Sequence, residues 1–231
     1  MSVLIVVAHP DDEVLGCGAT ASLLAAQGLT VRACILSHAA GARRERPELE
    51  ELHADMYRAQ QILGLGEPVL GGFPNIKLNT VAHLDLVQFI EAAILETGAD
   101  VIYTHHPSDL NDDHVQTSRA CQAAARLFQR RSDMAPLKAL YFMEILSSTE
   151  WIFGAGGDQF RAEAFCEIGA AMLEKKIDAL QCYRGVLRDY PHPRSQEVVR
   201  ALAALRGSQA GVQYAEAFQA PFRVFSADEI N

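Results

Sequence analysis

Two short stretches of this chain crowd together side chains able to hold a cation or move a proton. One is His9-Pro10-Asp11-Asp12-Glu13; the other runs from His105-His106 through Asp109 and Asn111-Asp112-Asp113 to His114. Imidazole and carboxylate are the ligand types of hydrolytic zinc sites, which take three from the protein and leave one position for water. His9 and Asp12 stand three positions apart at a predicted helix start, a spacing that sets both side chains on one side of the turn. His114 has the corresponding place on the second stretch, which makes His9, Asp12 and His114 the candidate ligands of one zinc ion per chain. Zinc brings the pKa of a bound water to about 7. Asp11, beside a ligand but directed elsewhere, is the candidate general base for that water.

Each of these residues also has a plainer reading. An Asp at a helix start is commonly a cap, which covers Asp11, Asp12 and one of Asp112 and Asp113. A lone His is more often structural than a ligand. What favours the metal is the joint occurrence of two His- and Asp-rich loops, each directly after a predicted strand. Asp113 has a second reading, as the hydrogen-bond partner that orients a ligand histidine. Trp151, in Ser147-Ser148-Thr149-Glu150-Trp151 just past a strand, is either a face on which a sugar stacks or plain packing. His38, His53 and His83 are read as outside the chemistry.

The elements that must position these loops follow from hydrophobic periodicity. Strands are predicted at 3–8, 30–36, 68–70, 100–104 and 139–145, and helices at 11–26, 48–63, 81–96 and 115–130. The first strand, Val-Leu-Ile-Val-Val-Ala, is apolar throughout, as in a parallel sheet covered on both faces. Such alternation predicts an α/β, Rossmann-like, mostly parallel sheet with helices on both faces. Beyond Trp151 a strand is expected at 159–165 and helices at 170–188 and 195–206. We read one domain over 1–231, with a core at 1–150 and a small C-terminal lobe at 151–231 that completes the pocket. In open sheets of this kind active sites lie at the carboxyl ends of strands, where both polar loops fall. Gly16-Cys17-Gly18-Ala19-Thr20-Ala21 fits a dinucleotide fingerprint, but its glycines fall inside the helix instead of the turn, so they are read as helix–sheet packing.

Composition sets bounds. With 231 residues, 49% hydrophobic and 21% charged, the chain has enough apolar content for a folded core. A net charge of −9 argues against a nucleic-acid partner. Five scattered cysteines without a CxxC predict reduced thiols. The chain opens Met-Ser and passes straight into a strand, and no apolar run nears the roughly 20 residues of a membrane span. The expectation is a cytoplasmic protein without a membrane or nucleic-acid partner.

Ala8-His9-Pro10-Asp11-Asp12-Glu13 resembles the AHPDDE signature of the PIG-L/LmbE-like deacetylase superfamily, with His114 closing a second motif. The resemblance extends over nearly the whole chain, through Pro191-His192-Pro193-Arg194-Ser195 and Arg206-Gly207-Ser208-Gln209. It implies a Rossmann-like fold, a single catalytic zinc and hydrolysis of N-acetyl groups on GlcNAc-type sugars and related amines. It carries the ligand role onto His9, Asp12 and His114, and the base onto Asp11. His192 would steady the oxyanion or protonate the amine. It implies a substrate-contacting arginine after the second strand, where the chain offers Arg43, Arg44 and Arg46 without a unique alignment; Arg44 is taken as the candidate. The chain departs from the family where HPDH becomes Asn111-Asp112-Asp113-His114, so His106 or Asp109 is expected to take over part of the missing histidine's role, His106 as a substrate contact. The expected partner is a small N-acetylated sugar or sugar conjugate, and homo-oligomerisation is left open. The competing readings are a hydrolase of another N-acyl group such as N-formyl, and a catalytically inactive metal-binding partner protein.

Overall fold

In β1 (Ser2–Val7) successive side chains leave for opposite faces of the sheet, and both faces are apolar. The computed structural model, which describes residues 1–39, 47–152 and 158–225, shows two cores in consequence. Val3, Ile5 and Val7 enter one with α1 (Asp12–Ala26), α2 (Leu49–Leu63) and α5 (Gly169–Cys182). Leu4, Val6 and Ala8 enter the other with α3 (His83–Thr97) and α4 (Asp112–Ala124).

β1 pairs in parallel with β2 (Thr30–Ile35) on one side and β4 (Val101–His105) on the other. β3 (Val69–Leu70) and β5 (Ala139–Met143) extend the parallel ladder outward. The order β3-β2-β1-β4-β5 reverses its winding between β1 and β4. That switch point opens a crevice at the strands' carboxyl ends. His9 and Asp12 follow β1 and His114 follows β4, so the topology delivers the two polar loops to that crevice. The predicted α/β, Rossmann-like, mostly parallel sheet with helices on both faces is the fold observed.

The sheet continues past the elements read from the sequence. β7 (Ala215–Arg223) runs antiparallel between β5 and β6 (Ala164–Glu167), giving seven strands among the described residues. β6 and β7 therefore belong to the same sheet as the core strands. The sequence reading placed no strand at 215–223, and its strand at 159–165 lies earlier than β6. The reason is composition: buried Glu216 and Gln219 and the exposed Pro221 hide the apolar alternation. The helix expected at 170–188 stops at Cys182, and α6 (Gln196–Ala210) outruns its expected end. The helix expected at 115–130 is α4 followed by one 3-10 turn, Leu127–Gln129.

The five thiols are free, as the spacing predicted. Among the described residues no helix is long and apolar enough to cross a membrane.

Gly16 packs as expected: a Cβ there would meet Met143 Sδ at 2.8 Å and Ile145 Cδ1 at 2.9 Å. Gly207 is tighter in kind, because a Cβ would meet the backbone of the turn leading into β7, with Gln213 O at 2.6 Å. Backbone cannot rotate away. Gly207→Ala is therefore expected to destabilise by about 1–3 kcal/mol, read as a lowered midpoint in denaturant unfolding. An unchanged midpoint would show that the α6–β7 corner yields freely.

Candidate metal centre and cleft

The turn from β1 into α1 is built by hydrogen bonds to carboxylates. Asp12 Oδ2 accepts the His9 amide at 3.0 Å, and Glu13 Oε2 accepts the Asp11 amide at 3.0 Å. Asp11 sits at the helix N-cap position in a left-handed conformation, φ 105° and ψ −28°, and its side chain makes no cap bond. That pose costs a non-glycine residue on the order of 1–3 kcal/mol. Glu13 helps to hold it from below: its other oxygen accepts from Tyr183 Oη and Gln60 Nε2. Burial lifts the Glu13 carboxyl to about 7, against the pull of the Tyr183 hydroxyl.

His9 Nδ1 and His114 Nε2 each lie 3.2 Å from Asp12 Oδ2, in a cluster whose three ligand atoms are all within 4.8 Å of one another. All three residues are buried. The far nitrogen of each imidazole meets another carboxylate. His9 Nε2 is 3.0 Å from Asp113 Oδ2, and His114 Nδ1 is 3.2 Å from Asp109 Oδ1. Metal-bound imidazoles are oriented by partners of this kind. Asp113 also accepts the amides of Ile76 and Leu78, at 2.7 and 2.9 Å, which ties the 75–78 loop to the start of α4. Asp109 accepts from Thr149 Oγ1 at 2.6 Å and from Ser148 Oγ.

The electrostatics ask for positive charge. Burial opposes a charged imidazole at His9 and His114; even so, Asp113 and Asp12 raise the first, while Asp12 and Asp109 lift the second to about 10. Burial likewise favours neutral Asp109, yet His114 and the Ser148 and Thr149 hydroxyls hold it at about 2. Three buried carboxylates around two histidines fit a divalent cation by donor type and charge. His105 completes the floor. Its ring stacks on His114 at 3.8 Å and 11°, and its Nε2 accepts the Ala8 amide at 2.9 Å. Burial, then the neighbouring His114, drops its pKa to about 3, so the ring is neutral.

A cleft of about 250 Å³ opens over the cluster. His9, Asp11, Asp12, His114 and His192 line it, joined by Asn75, Arg188 and Arg194, which the sequence reading did not select. Two expected substrate contacts stand apart from this cleft, and one expected cap is corrected. His106 is not among the lining residues: Nε2 is 3.1 Å from Gln219 Oε1 and Nδ1 accepts the Ser108 amide, so both ring nitrogens are spent on structure. Trp151 is 46% exposed and also stands outside the lining. The cap of α4 is neither Asp112 nor Asp113 but Asn111, whose Oδ1 accepts the Asp113 amide at 3.0 Å. Asn111 thus occupies the place of the family's missing histidine as a cap. Arg44 lies outside the described residues.

The architecture is a mostly parallel α/β sheet with a His-Asp-His cluster, a candidate metal centre, at its switch point. The chain belongs to the PIG-L family of GlcNAc-PI de-N-acetylases, which matches residues 4–125. It is 30% identical over 132 residues to the uncharacterized deacetylase YaiS of Escherichia coli K12, covering 54% of this chain and 68% of that protein. Among solved structures it is similar to the conserved protein TT1542 of Thermus thermophilus, with TM-score 0.78, 26% identity and 98% and 97% of the two chains covered. The N,N'-diacetylchitobiose deacetylase of Pyrococcus horikoshii gives TM-score 0.76 at 16% identity, over 95% and 83%. GalB of Pseudomonas putida KT2440, a 4-carboxy-2-hydroxymuconate hydratase, gives 0.72 at 22%, over 97% and 98%. These last two likenesses bear on fold alone.

Proposed function

We propose that this deacetylase-family chain is a zinc-dependent hydrolase of the N-acetyl amide on an amino sugar or sugar conjugate, releasing acetate and the free amine. The observation that carries the reading is the buried His9-Asp12-His114 cluster opening on a cleft whose wall holds Asp11, a carboxylate outside the ligand set. His9, Asp12 and His114 would hold the ion, and zinc supplies, when bound, a Lewis acid and an acidified water. Asp11, whose carboxylate does not cap the helix, takes the proton of the attacking water. His192 Nδ1 accepts the Arg194 amide at 3.0 Å, so a neutral ring keeps its proton on Nε2 and can give it to the oxyanion or the departing amine. Asp113 and Asp109 hold the two ligand histidines at the orientation the ion requires. The family match and the YaiS likeness support the acetyl part of the reading, and the GlcNAc-PI of the family description supports the sugar part. The inactive-partner reading is disfavoured, since the base and all three ligands sit together at one cleft.

A hydratase shares the fold, so the product itself must be measured. Purified protein is expected to carry about one zinc per chain, to release acetate from at least one of a panel of N-acetylated amino sugars, and to lose and regain that activity on chelation and zinc return. Release of formate alone, from N-formyl analogues, would move the acyl assignment. Metal without any acyl release would remove the hydrolase reading, and a metal-free protein with intact histidines would remove the site.

A further inference from the structure

The side chain that meets Asp11 comes from the 188–194 loop, far away in sequence. Arg194 Nη1 lies 3.2 Å from Asp11 Oδ2. Its Nε is held from behind, donating to Ser147 Oγ at 2.7 Å and approaching Leu146 O at 3.4 Å. Ser147 is itself left-handed, with φ 72°. The Arg194 peptide N–H, in turn, donates to His192 Nδ1, and the Arg194 carbonyl accepts the Arg188 amide at 3.1 Å. One residue therefore touches both groups that the mechanism asks to move protons, with its side chain on one and its main chain on the other.

Neither contact is incidental to the state of its partner. A left-handed non-glycine residue persists only where its surroundings over-determine it. At Asp11, Glu13 holds the amide and Arg194 the carboxylate. An amide donor at Nδ1 leaves a neutral imidazole only the Nε2–H tautomer. Burial, and after it the charges of Arg188 and Arg194, lower the His192 pKa and favour that neutral ring.

We propose that Arg194 is the positioning residue of the site: its guanidinium fixes Asp11 in the left-handed pose that presents the carboxylate to the cleft, and its peptide N–H fixes His192 as the Nε2–H tautomer. The proposal rests on the deacetylase reading of the cleft. A lysine lacks the fork that grips Ser147 and Asp11 together, so it restores only the charge.

The test uses the full zinc-loaded chain with N-acetylglucosamine or N,N'-diacetylchitobiose as probe. Arg194→Gln should lower kcat about 100-fold with KM within about three-fold, the pattern of a group acting through the base. Arg194→Lys should recover to within about ten-fold of the parent. Placed on Asp11→Asn, the Gln change should cost less than about two-fold, because the residue it positions is already disabled. The crystal structure of Arg194→Gln should show Asp11 departed from φ 105° with the metal retained. Nitrogen-15 spectra of the parent should show His192 protonated on Nε2. An equal loss on the Asp11→Asn background, an unmoved Asp11, or His192 protonated on Nδ1 would overturn the proposal. If the parent releases no acetate the deacetylase reading falls, while the crystal structure and the spectra still decide the role of Arg194. Should the Gln variant fail to fold, Arg194→Met, which removes the same side-chain contacts, carries the same readouts.

Discussion

Asp11→Asn is expected to keep its metal and lose turnover, with kcat down by about 10² to 10⁴-fold, the range a general base contributes. The change is well suited to isolate chemistry from structure. Asn tolerates positive φ almost as well as Asp, so the 105° pose is retained, and the amide of residue 11 still donates to Glu13. The Asn oxygen can still accept from Arg194. What disappears is basicity. The ligand atoms of His9, Asp12 and His114 belong to other residues, so the zinc content of the variant should equal that of the parent. Steady-state acetate release and metal analysis on the same preparation decide the matter. Turnover at the parent rate with one zinc in place would take the base role away from Asp11. Loss of the metal would instead mean that Asp11 supports the centre, and the separation of base from ligand would have to be redrawn.

The apolar run of β1 and the strand-helix alternation were readable because a sheet covered on both faces writes its burial directly into hydropathy. The His9-Asp12-His114 cluster was readable for a related reason: its members stand within a few residues of two strand ends, and the switch point brings those ends together. What escaped came from chain far away in sequence. Arg194 reaches Asp11 across 183 positions, and Tyr183 reaches Glu13 across 170. No local pattern marks such pairs. Asp109 was noticed only as a stand-in for a missing histidine, whereas its carboxylate backs His114. Asn111 was legible in principle, since Asn caps helices as well as Asp does, but the two acids after it drew the assignment. β7 was lost because its buried Glu216 serves α1 and its buried Gln219 meets His106, and hydropathy reads both as surface.

Glu216→Ala is expected to be strongly destabilising, at about 3–5 kcal/mol. Helix α1 breaks at Cys17, where φ is −148° and ψ 23°, so its second half starts afresh with unpaired amides. Glu216 accepts two of them, Ala19 N at 3.2 Å and Thr20 N at 2.7 Å. Lys176 Nζ donates to Leu15 O at 2.8 Å before the break and pairs with Glu216 at 2.6 Å. Both side chains are under a tenth exposed, so water cannot substitute for either partner. Removing Glu216 strands a buried ammonium and two amides at once. Lys176→Met should cost less, because those amides continue to support the carboxylate at a helix start. The double change Lys176→Met with Glu216→Ala should cost less than the sum of the two singles, since no buried charge is left behind. For a chain of this length the Glu216→Ala loss corresponds to a melting point lower by roughly 6–20 °C. The break lies in the same helix as Asp12, which lines the cleft, and Lys176 ties the helix to α5 on both sides of it. Loosening it should therefore also weaken zinc retention under a competing chelator, although no metal ligand has been touched. Additive costs in the double variant, or a Glu216→Ala melting point equal to the parent's, would show that the kink stands without this pair.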